Sequence, residues 1–331
     1  MADGPLRWGI LGTGLIAETF TTDLKLTDSG IVAAVGSRTQ EAADRFAQKH
    51  GIGRAHSSYE SLVADPEIDV VYVATPHPMH RDNAILALEA GKPVLVEKPF
   101  TMNAVEAREI VAVAREKKLF AMEAMWTRFL PHMMVVRDWL TQRVLGEIVS
   151  VSADHGQWFA EDPDFRLFAP ALGGGALLDL GIYPVSLASM ATGGQLPERV
   201  EAVARMTDTG VDAQASMLFV YPGGAQATIS TSLDVRTANS AAINGTEGRI
   251  LIPQPWARTS PVEVSTPDGT SLSTSLPHQG HGLRHQAAEV HRLLREGLTQ
   301  SPVIPLAETL AVMRTLDMVR ERIGLRYPGE A

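Results

Sequence analysis

The 331-residue chain contains no cysteine. That absence excludes disulfides, thiolate nucleophiles, iron–sulfur clusters and cysteine-based zinc sites, and it fits a reducing compartment. Positive charge is also short, with 29 Lys and Arg against 38 Asp and Glu and a net charge of −9. A field of that sign repels phosphate backbones, so neither nucleic acid nor an anionic membrane is an expected partner. No apolar run approaches the roughly 18 residues that a membrane span requires. The opening Met1-Ala2-Asp3-Gly4-Pro5-Leu6-Arg7-Trp8 has no signal-peptide hydrophobic region. The expectation is a cytoplasmic protein. What is present, 45% hydrophobic and 20% charged residues, suits a globular chain, and the length suits two domains at roughly 100–200 residues each.

The first third alternates strand and helix patterns. Strand-like runs at 7–11, 31–37, 69–74, 93–97 and 120–123 alternate with helical spacing at 15–26, 41–50, 58–64, 80–90 and 103–118. Asp69-Val70-Val71-Tyr72-Val73-Ala74 is a β-branched run of the kind buried on both faces of a parallel sheet. This rhythm predicts an α/β domain over 1–123, with a Rossmann-type doubly wound parallel sheet. After about residue 124 the pattern changes. Helices are expected at 131–143 and 177–192, then strands at 147–153, 200–206, 213–221, 225–233, 241–244, 249–252 and 262–265, and closing helices at 282–296 and 306–323. Strands joined by short turns such as Pro222-Gly223-Gly224 describe an antiparallel meander, so residues 124–331 read as one α+β domain with a large, mainly antiparallel, open-faced sheet.

Gly12-Thr13-Gly14-Leu15-Ile16-Ala17 reads G-x-G-x-x-A between a strand and a helix. The first glycine permits a tight turn and the second lets backbone approach a pyrophosphate. The helix N-terminus supplies amide donors there. A plain tight turn is the alternative. The second strand ends Gly36-Ser37-Arg38-Thr39, with no acid of the kind that accepts from an NAD ribose hydroxyl. Ser37 and Arg38 suit the 2′-phosphate of NADP, with NAD as the lesser expectation; Arg38 as a solvated loop residue is the other reading. Two further strand ends, Thr75-Pro76-His77-Pro78-Met79-His80 and Glu97-Lys98-Pro99, line the same edge of the sheet, where open α/β sheets bind ligands. Lys98 there could polarise a hydroxyl, or be an ordinary surface lysine.

In the second half, Gly173-Gly174-Gly175 precedes Asp179 and Tyr183. On a helix those two are i and i+4 neighbours, about 6 Å apart on one face. The glycines permit close approach, plausibly by a ligand. An aspartate at a helix start with a core tyrosine is the competing reading. Trp126, Arg128 and Phe129, with Trp158 and Phe159, form either a wall around a small ring or ordinary packing. His278, His281, His285 and His291 lack an obvious carboxylate partner, so no metal site is expected.

Together the G-x-G-x-x-A, Glu97-Lys98-Pro99, the stretch from Gly173 to Gly181 and Gly245-Thr246-Glu247-Gly248 resemble the Gfo/Idh/MocA oxidoreductases over nearly the whole chain. The resemblance implies that Lys98 lies at the nicotinamide, before a cis proline, and that Asp179 contacts substrate. Tyr183 stands where many members have histidine. With Ala124-Met125-Trp126-Thr127-Arg128-Phe129 and the 75–80 segment, this is similar to the branch of dimeric dihydrodiol dehydrogenases and NADP-dependent D-xylose dehydrogenases. That branch implies NADP and a homodimer, or a dimer of dimers, paired through the C-terminal sheet. The expected cofactor contacts are Gly12, Thr13, Gly14, Leu15, Ile16, Ser37, Arg38, Thr75, Pro76, His77, His80, Glu97, Lys98 and Arg128. Trp126, Phe129, His155, Phe159, Asp179 and Tyr183 are expected around the substrate, a small polyol. The implied reaction takes hydride from a cyclic polyol, foremost C1 of an aldopyranose. Tyr183 accepts the proton, and because a free phenol near pKa 10 is a poor base, Lys98 and the nicotinamide cation lower its value. Oxidation of trans-dihydrodiols to catechols is the alternative within the enzyme class, and a non-catalytic NADP-binding sensor the alternative outside it.

Overall fold

The structure, a computed structural model, describes residues 4–256, 258, 261–276 and 279–330. The chain divides into two compact units. The first comprises residues 1–129 and 279–309. It opens with β1 (Leu6–Leu11), α1 (Leu15–Leu24), β2 (Gly30–Gly36), α2 (Gln40–His50), β3 (Ala55–His56) and α3 (Tyr59–Val63), and continues with β4 (Val70–Val73), α4 (His80–Glu89), β5 (Val94–Glu97), α5 (Ala104–Lys117) and β6 (Ala121–Ala124). All six strands are parallel, in the order β3-β2-β1-β4-β5-β6. Every residue of β4, β5 and β6 is buried, as a sheet covered on both faces requires. The strand order reverses between β1 and β4, so a crevice opens at their carboxyl ends. At the start of α5, Asn103 Oδ1 accepts the Glu106 N–H at 3.0 Å and Glu106 Oε2 accepts the Met102 N–H at 3.1 Å, a reciprocal pair that fixes the helix entry.

A single boundary near residue 124 does not hold. The segment 279–309, assigned from sequence to the second domain, packs within the first unit. Its α8 (Arg284–Arg295) buries Ala287, Val290, Leu293 and Leu294. The carboxylate of Asp23, fully buried at the end of α1, accepts the backbone N–H groups of His281 (2.8 Å) and Leu283 (2.7 Å). It thereby caps a helix some 260 residues away in sequence. The Ala121 N–H on the edge strand β6 donates to the Thr299 carbonyl at 3.1 Å, so the returning segment also covers the sheet edge.

The second unit comprises residues 130–278 and 310–331. It holds α6 (Pro131–Thr141), β7 (Ile148–Gly156), α7 (Ile182–Ala191), β8 (Arg199–Met206), β9 (Asp212–Val220), β10 (Gln226–Ser232), β11 (Ala241–Gly245), β12 (Arg249–Ile252), β13 (Val262–Ser265) and β14 (Ser271–Thr274). The last helix, α9 (Leu306–Ile323), begins in the first unit and continues into the second. The eight strands run β14-β13-β12-β11-β7-β10-β9-β8. The sheet is therefore not the simple meander expected. β7 inserts between β11 and β10 and lies parallel to β10, because the excursion through α7 returns the chain at β8, three strands away. One face is buried and the other open. On β9, Ala213, Ala215, Met217 and Phe219 are buried, while Gln214, Ser216 and Leu218 face out.

Every residue of α7 is buried. Contrary to the reading of the sequence, the stretch Pro170–Ala191 is apolar enough by length and composition to span a membrane. Most of it, 83%, is buried inside the unit, where it serves as the core helix.

Asp23→Ala should leave the buried Leu283 amide and the partly exposed His281 amide without their acceptor and lower the unfolding free energy by about 1–3 kcal/mol. Urea titration followed by far-UV circular dichroism measures it, and a change within 0.5 kcal/mol (the size of about one neutral surface substitution) would contradict the capping role.

Candidate active site

At the carboxyl end of β1, Gly12 has φ +105°, and a Cβ there would lie 2.7 Å from the Ala74 carbonyl oxygen on the neighbouring strand end. Glycine is required at this position by both backbone conformation and space. Gly14 is the residue that caps α1; no side chain caps the helix, and a Cβ on Gly14 would meet nothing within 4 Å. The first amides of α1, from Leu15 and Ile16 onward, thus face an open approach, and Leu15 is 80% exposed. Thr13 is half-buried beside them. These are the conditions for a pyrophosphate at a helix N-terminus, so the residues present fit a dinucleotide. At the end of β2, Ser37 is buried, whereas Arg38 is exposed and makes no hydrogen bond or ion pair among the described residues.

The next strand ends are stapled together. Thr75 and His77 are buried and Pro76 is exposed. The fully buried His80 ring sits 2.8 Å from the carbonyl oxygens of both Thr75 and Pro99. Burial, with the Lys98 charge nearby, pushes its pKa down. His80 is therefore a tie between two strand-end loops, a different placement from the open crevice lining expected. The Lys98–Pro99 peptide is cis. Glu97 is buried, accepts from the Tyr72 hydroxyl, and takes the Lys98 N–H at 3.1 Å. Lys98 itself is half-buried. Behind it, Glu123 Oε1 accepts the Phe100 N–H at 3.2 Å, and Thr309 donates to Oε2 at 3.3 Å. Burial pushes the Glu123 carboxyl up to about 7.

Arg128, expected at the cofactor, is buried and holds Glu308 (2.8 Å) and the Val303 carbonyl (3.1 Å). It brackets the returning segment instead. Phe129, expected in a substrate wall, is core at 5% exposure, and Trp126 is half-buried.

In the second unit, Asp179 and Tyr183 are brought onto one helical stretch, both buried. Residues Leu177–Gly181 form a π-helical turn that runs directly into α7. Such turns widen the spacing of side chains and recur at functional sites. Arg166, half-exposed, donates to Asp179 Oδ1 at 3.0 Å. The ring of Tyr183 lies 5.3 Å from that of His155, which comes from the end of β7. Trp256 stands edge-on to His155 at 6.1 Å and is anchored by donation from Nε1 to the Asp154 carbonyl. Phe159 packs against Leu167, Phe168 and Leu180, beside Phe165. The unit thus gathers a carboxylate, a phenol, an imidazole and apolar rings, a set suited to orienting a polyol and moving a proton.

Two of the three glycines are required by packing within the protein. A Cβ on Gly174 would lie 2.7 Å from the Leu167 carbonyl, and one on Gly175 (φ +113°) would run into the Asp212 carboxyl. The close approach is to the protein itself. Arg166 and Trp256 were not picked out in the sequence. An arginine 13 residues before Asp179 carries no local pattern, and Trp256 reaches His155 across about 100 residues. No group of three potential metal-ligating side chains occurs among the described residues, and His278 lies outside them.

Comparison with known proteins matches residues 6–125 to the GFO_IDH_MocA oxidoreductase family, NAD-binding Rossmann fold, and residues 133–251 to the GFO/IDH/MocA C-terminal domain. The chain is 42% identical over 332 residues to trans-1,2-dihydrobenzene-1,2-diol dehydrogenase of Sus scrofa and 40% identical over 334 residues to that of Homo sapiens, covering 98% of each chain in both cases. Among solved structures, the 3-ketoreductase KijD10 from Actinomadura kijaniata, in complex with NADP and TDP-benzene, superimposes with a TM-score of 0.83 at 28% identity. That match covers 96% of this chain and 98% of the other.

Gly12→Ala forces a side chain into a left-handed conformation against Ala74, at a cost of about 1–3 kcal/mol. Weaker dinucleotide binding should follow, measured by quenching of tryptophan fluorescence on NADPH titration. An unchanged Kd would show that this turn does not need glycine.

Proposed function

The chain belongs to the Gfo/Idh/MocA oxidoreductase family, and on that premise we propose that it oxidises a cyclic polyol with NADP. The observation that carries the reading is the Asp179–Tyr183 stretch, with Asp179 paired to Arg166 and Tyr183 against His155. Bound nicotinamide supplies hydride transfer. Tyr183 takes the hydroxyl proton, and a positive charge beside the phenol favours its ionised form; Lys98 is the other residue we assign to the reaction. Asp179, held by Arg166, accepts hydrogen bonds from ring hydroxyls and sets which carbon is presented. The half-buried Phe159 offers an apolar face to the ring, while the fully buried Trp256 backs His155.

Two substrate classes meet these requirements. An aldopyranose oxidised at C1 is the first, because vicinal hydroxyls suit a carboxylate and a ring face suits aromatic walls. A trans-dihydrodiol is the second, favoured by the full-length likeness to dihydrodiol dehydrogenases. For the cofactor, the exposed Arg38 and the lack of an acid at the end of β2 support NADP over NAD. A homodimer through the open sheet face is also part of the reading. That face carries small or polar residues such as Ser150, Ser152, Ser216 and Thr228, with the exposed Val203 and Leu218 between them. Light scattering on the eluted protein reports the subunit count.

NADP reduction across a panel of aldopyranoses and dihydrodiols decides the substrate class; cofactor binding with no turnover on any of them would instead favour a sensor. Tyr183→Phe and Lys98→Met should each remove most turnover while NADPH still binds, and a near-normal kcat in either variant removes that residue from the mechanism. Arg38→Ala should shrink the NADP-over-NAD ratio of kcat/KM by about ten- to hundredfold, the loss of one charged hydrogen bond. An unchanged ratio would assign Arg38 to solvent.

A further inference from the structure

Asp212 is the first residue of β9 and is fully buried. Its Oδ2 accepts the Leu177 N–H at 2.7 Å. Leu177 is the first residue of the π-turn that carries Asp179, and no side chain of that turn's own sequence caps it. The other oxygen, Oδ1, has no hydrogen-bond partner among the described residues and faces Gly175, where only glycine leaves room. A second tie holds the segment just before that turn, where the Tyr327 hydroxyl donates to the Gly174 carbonyl at 2.6 Å. The charged and titratable groups facing Asp212 are Arg320 from α9 and Tyr327 beyond it. The Arg320 guanidinium lies 4.6 Å over the Tyr327 ring and is itself paired with Asp317 and Glu330.

We propose that Asp212 is a positioning residue for proton transfer: it fixes the first amide of the turn that presents Asp179 and, four residues on, Tyr183. The inference rests on the functional reading of those two side chains given above. The choice of residue supports it. One neutral acceptor, an asparagine or a serine, would satisfy the Leu177 amide without burying a carboxyl that has a bare oxygen. Departures from the cheapest local solution concentrate where geometry serves function. Burial pushes the Asp212 carboxyl up to about 7, against the pull of the Leu177 amide, its own amide and Arg320. Above that pH a charged carboxylate grips the amide strongly, and below it a weaker neutral acid does. Its contribution to stability has the opposite trend. A carboxyl with a raised folded pKa favours the fold most below the ordinary carboxylate range, and that favour is lost as pH rises through about 7. Function and stability therefore pull in different directions at one residue.

The test compares full-length wild type, Asp212→Asn and Asp212→Ala. Asparagine keeps an acceptor for Leu177 and loses the charge. It should be at least as heat-stable as wild type at pH 8. Its kcat/KM for the polyol should nevertheless fall about tenfold, and alanine's about a hundredfold, as expected for small misplacement of reacting groups. NADPH affinity should not change. The wild-type decline of kcat/KM below pH 7 should vanish in the asparagine variant. Amide hydrogen exchange supplies a readout independent of turnover: peptides spanning 173–185 should exchange faster in both variants than in wild type. An asparagine variant with wild-type kcat/KM and pH profile overturns the proposal, as does activity lost only in step with melting temperature. A wild-type protein inactive on every polyol would sink the functional reading alone; unchanged exchange at 173–185 would then sink this inference as well, and faster exchange confined to it would sustain it.

Discussion

A backbone amide buried without an acceptor costs on the order of 1–3 kcal/mol, and irregular segments next to a ligand site are where such amides accumulate. This chain repeatedly meets the problem with a buried carboxyl. Glu97 takes the amide of Lys98, Glu123 that of Phe100, Asp23 those of His281 and Leu283, and Asp212 that of Leu177. Each grip falls beside a feature that the chemistry needs or that completes a unit: the lysine loop, the returning helix, the turn bearing Asp179. Charged acceptors hold more firmly than neutral ones, and their own burial raises the affinity for a proton, as at Glu123 and Asp212. Burial against an amide thus both fixes the local backbone and raises the carboxyl's affinity for a proton.

Much of the fold was legible because its signals are local. The periodicity of strands and helices in the first 124 residues, the G-x-G-x-x-A turn and the alternation along β9 each depend on neighbours within a few residues. The site was legible only in part. Asp179 and Tyr183 share a helical stretch because a four-residue spacing dictates it, whatever the rest of the chain does. Arg166, Trp256 and Asp212 gave no signal, since each acquires its partner through tertiary folding. His80 and Arg128 show the reverse error. The strand-end position of His80 and the family resemblance at Arg128 suggested ligand contact, yet burial turned one into a tie between loops and the other into a bracket for Glu308.

The glycine triplet at 173–175 illustrates how one sequence feature can mislead about cause. Three glycines before an aspartate invite a bound ligand as the reason for their smallness. At Gly174 and Gly175 the structure supplies a different one: main chain at 166–167 and the Asp212 carboxyl occupy the space that side chains would need. The same closeness places Arg166 where it meets Asp179, so the glycines shape the site by permitting protein to pack on protein.

The return of residues 279–309 to the first unit has a consequence for biogenesis. During translation, a nucleotide-binding half composed of residues 1–129 would emerge with its β6 edge bare and Asp23 buried against nothing. About 150 further residues must be made before the missing segment arrives, a delay on the order of ten to thirty seconds at ordinary elongation rates. The early-made half must wait, unfinished, for the late-made one, so the order of synthesis and the order of folding cannot coincide in this chain.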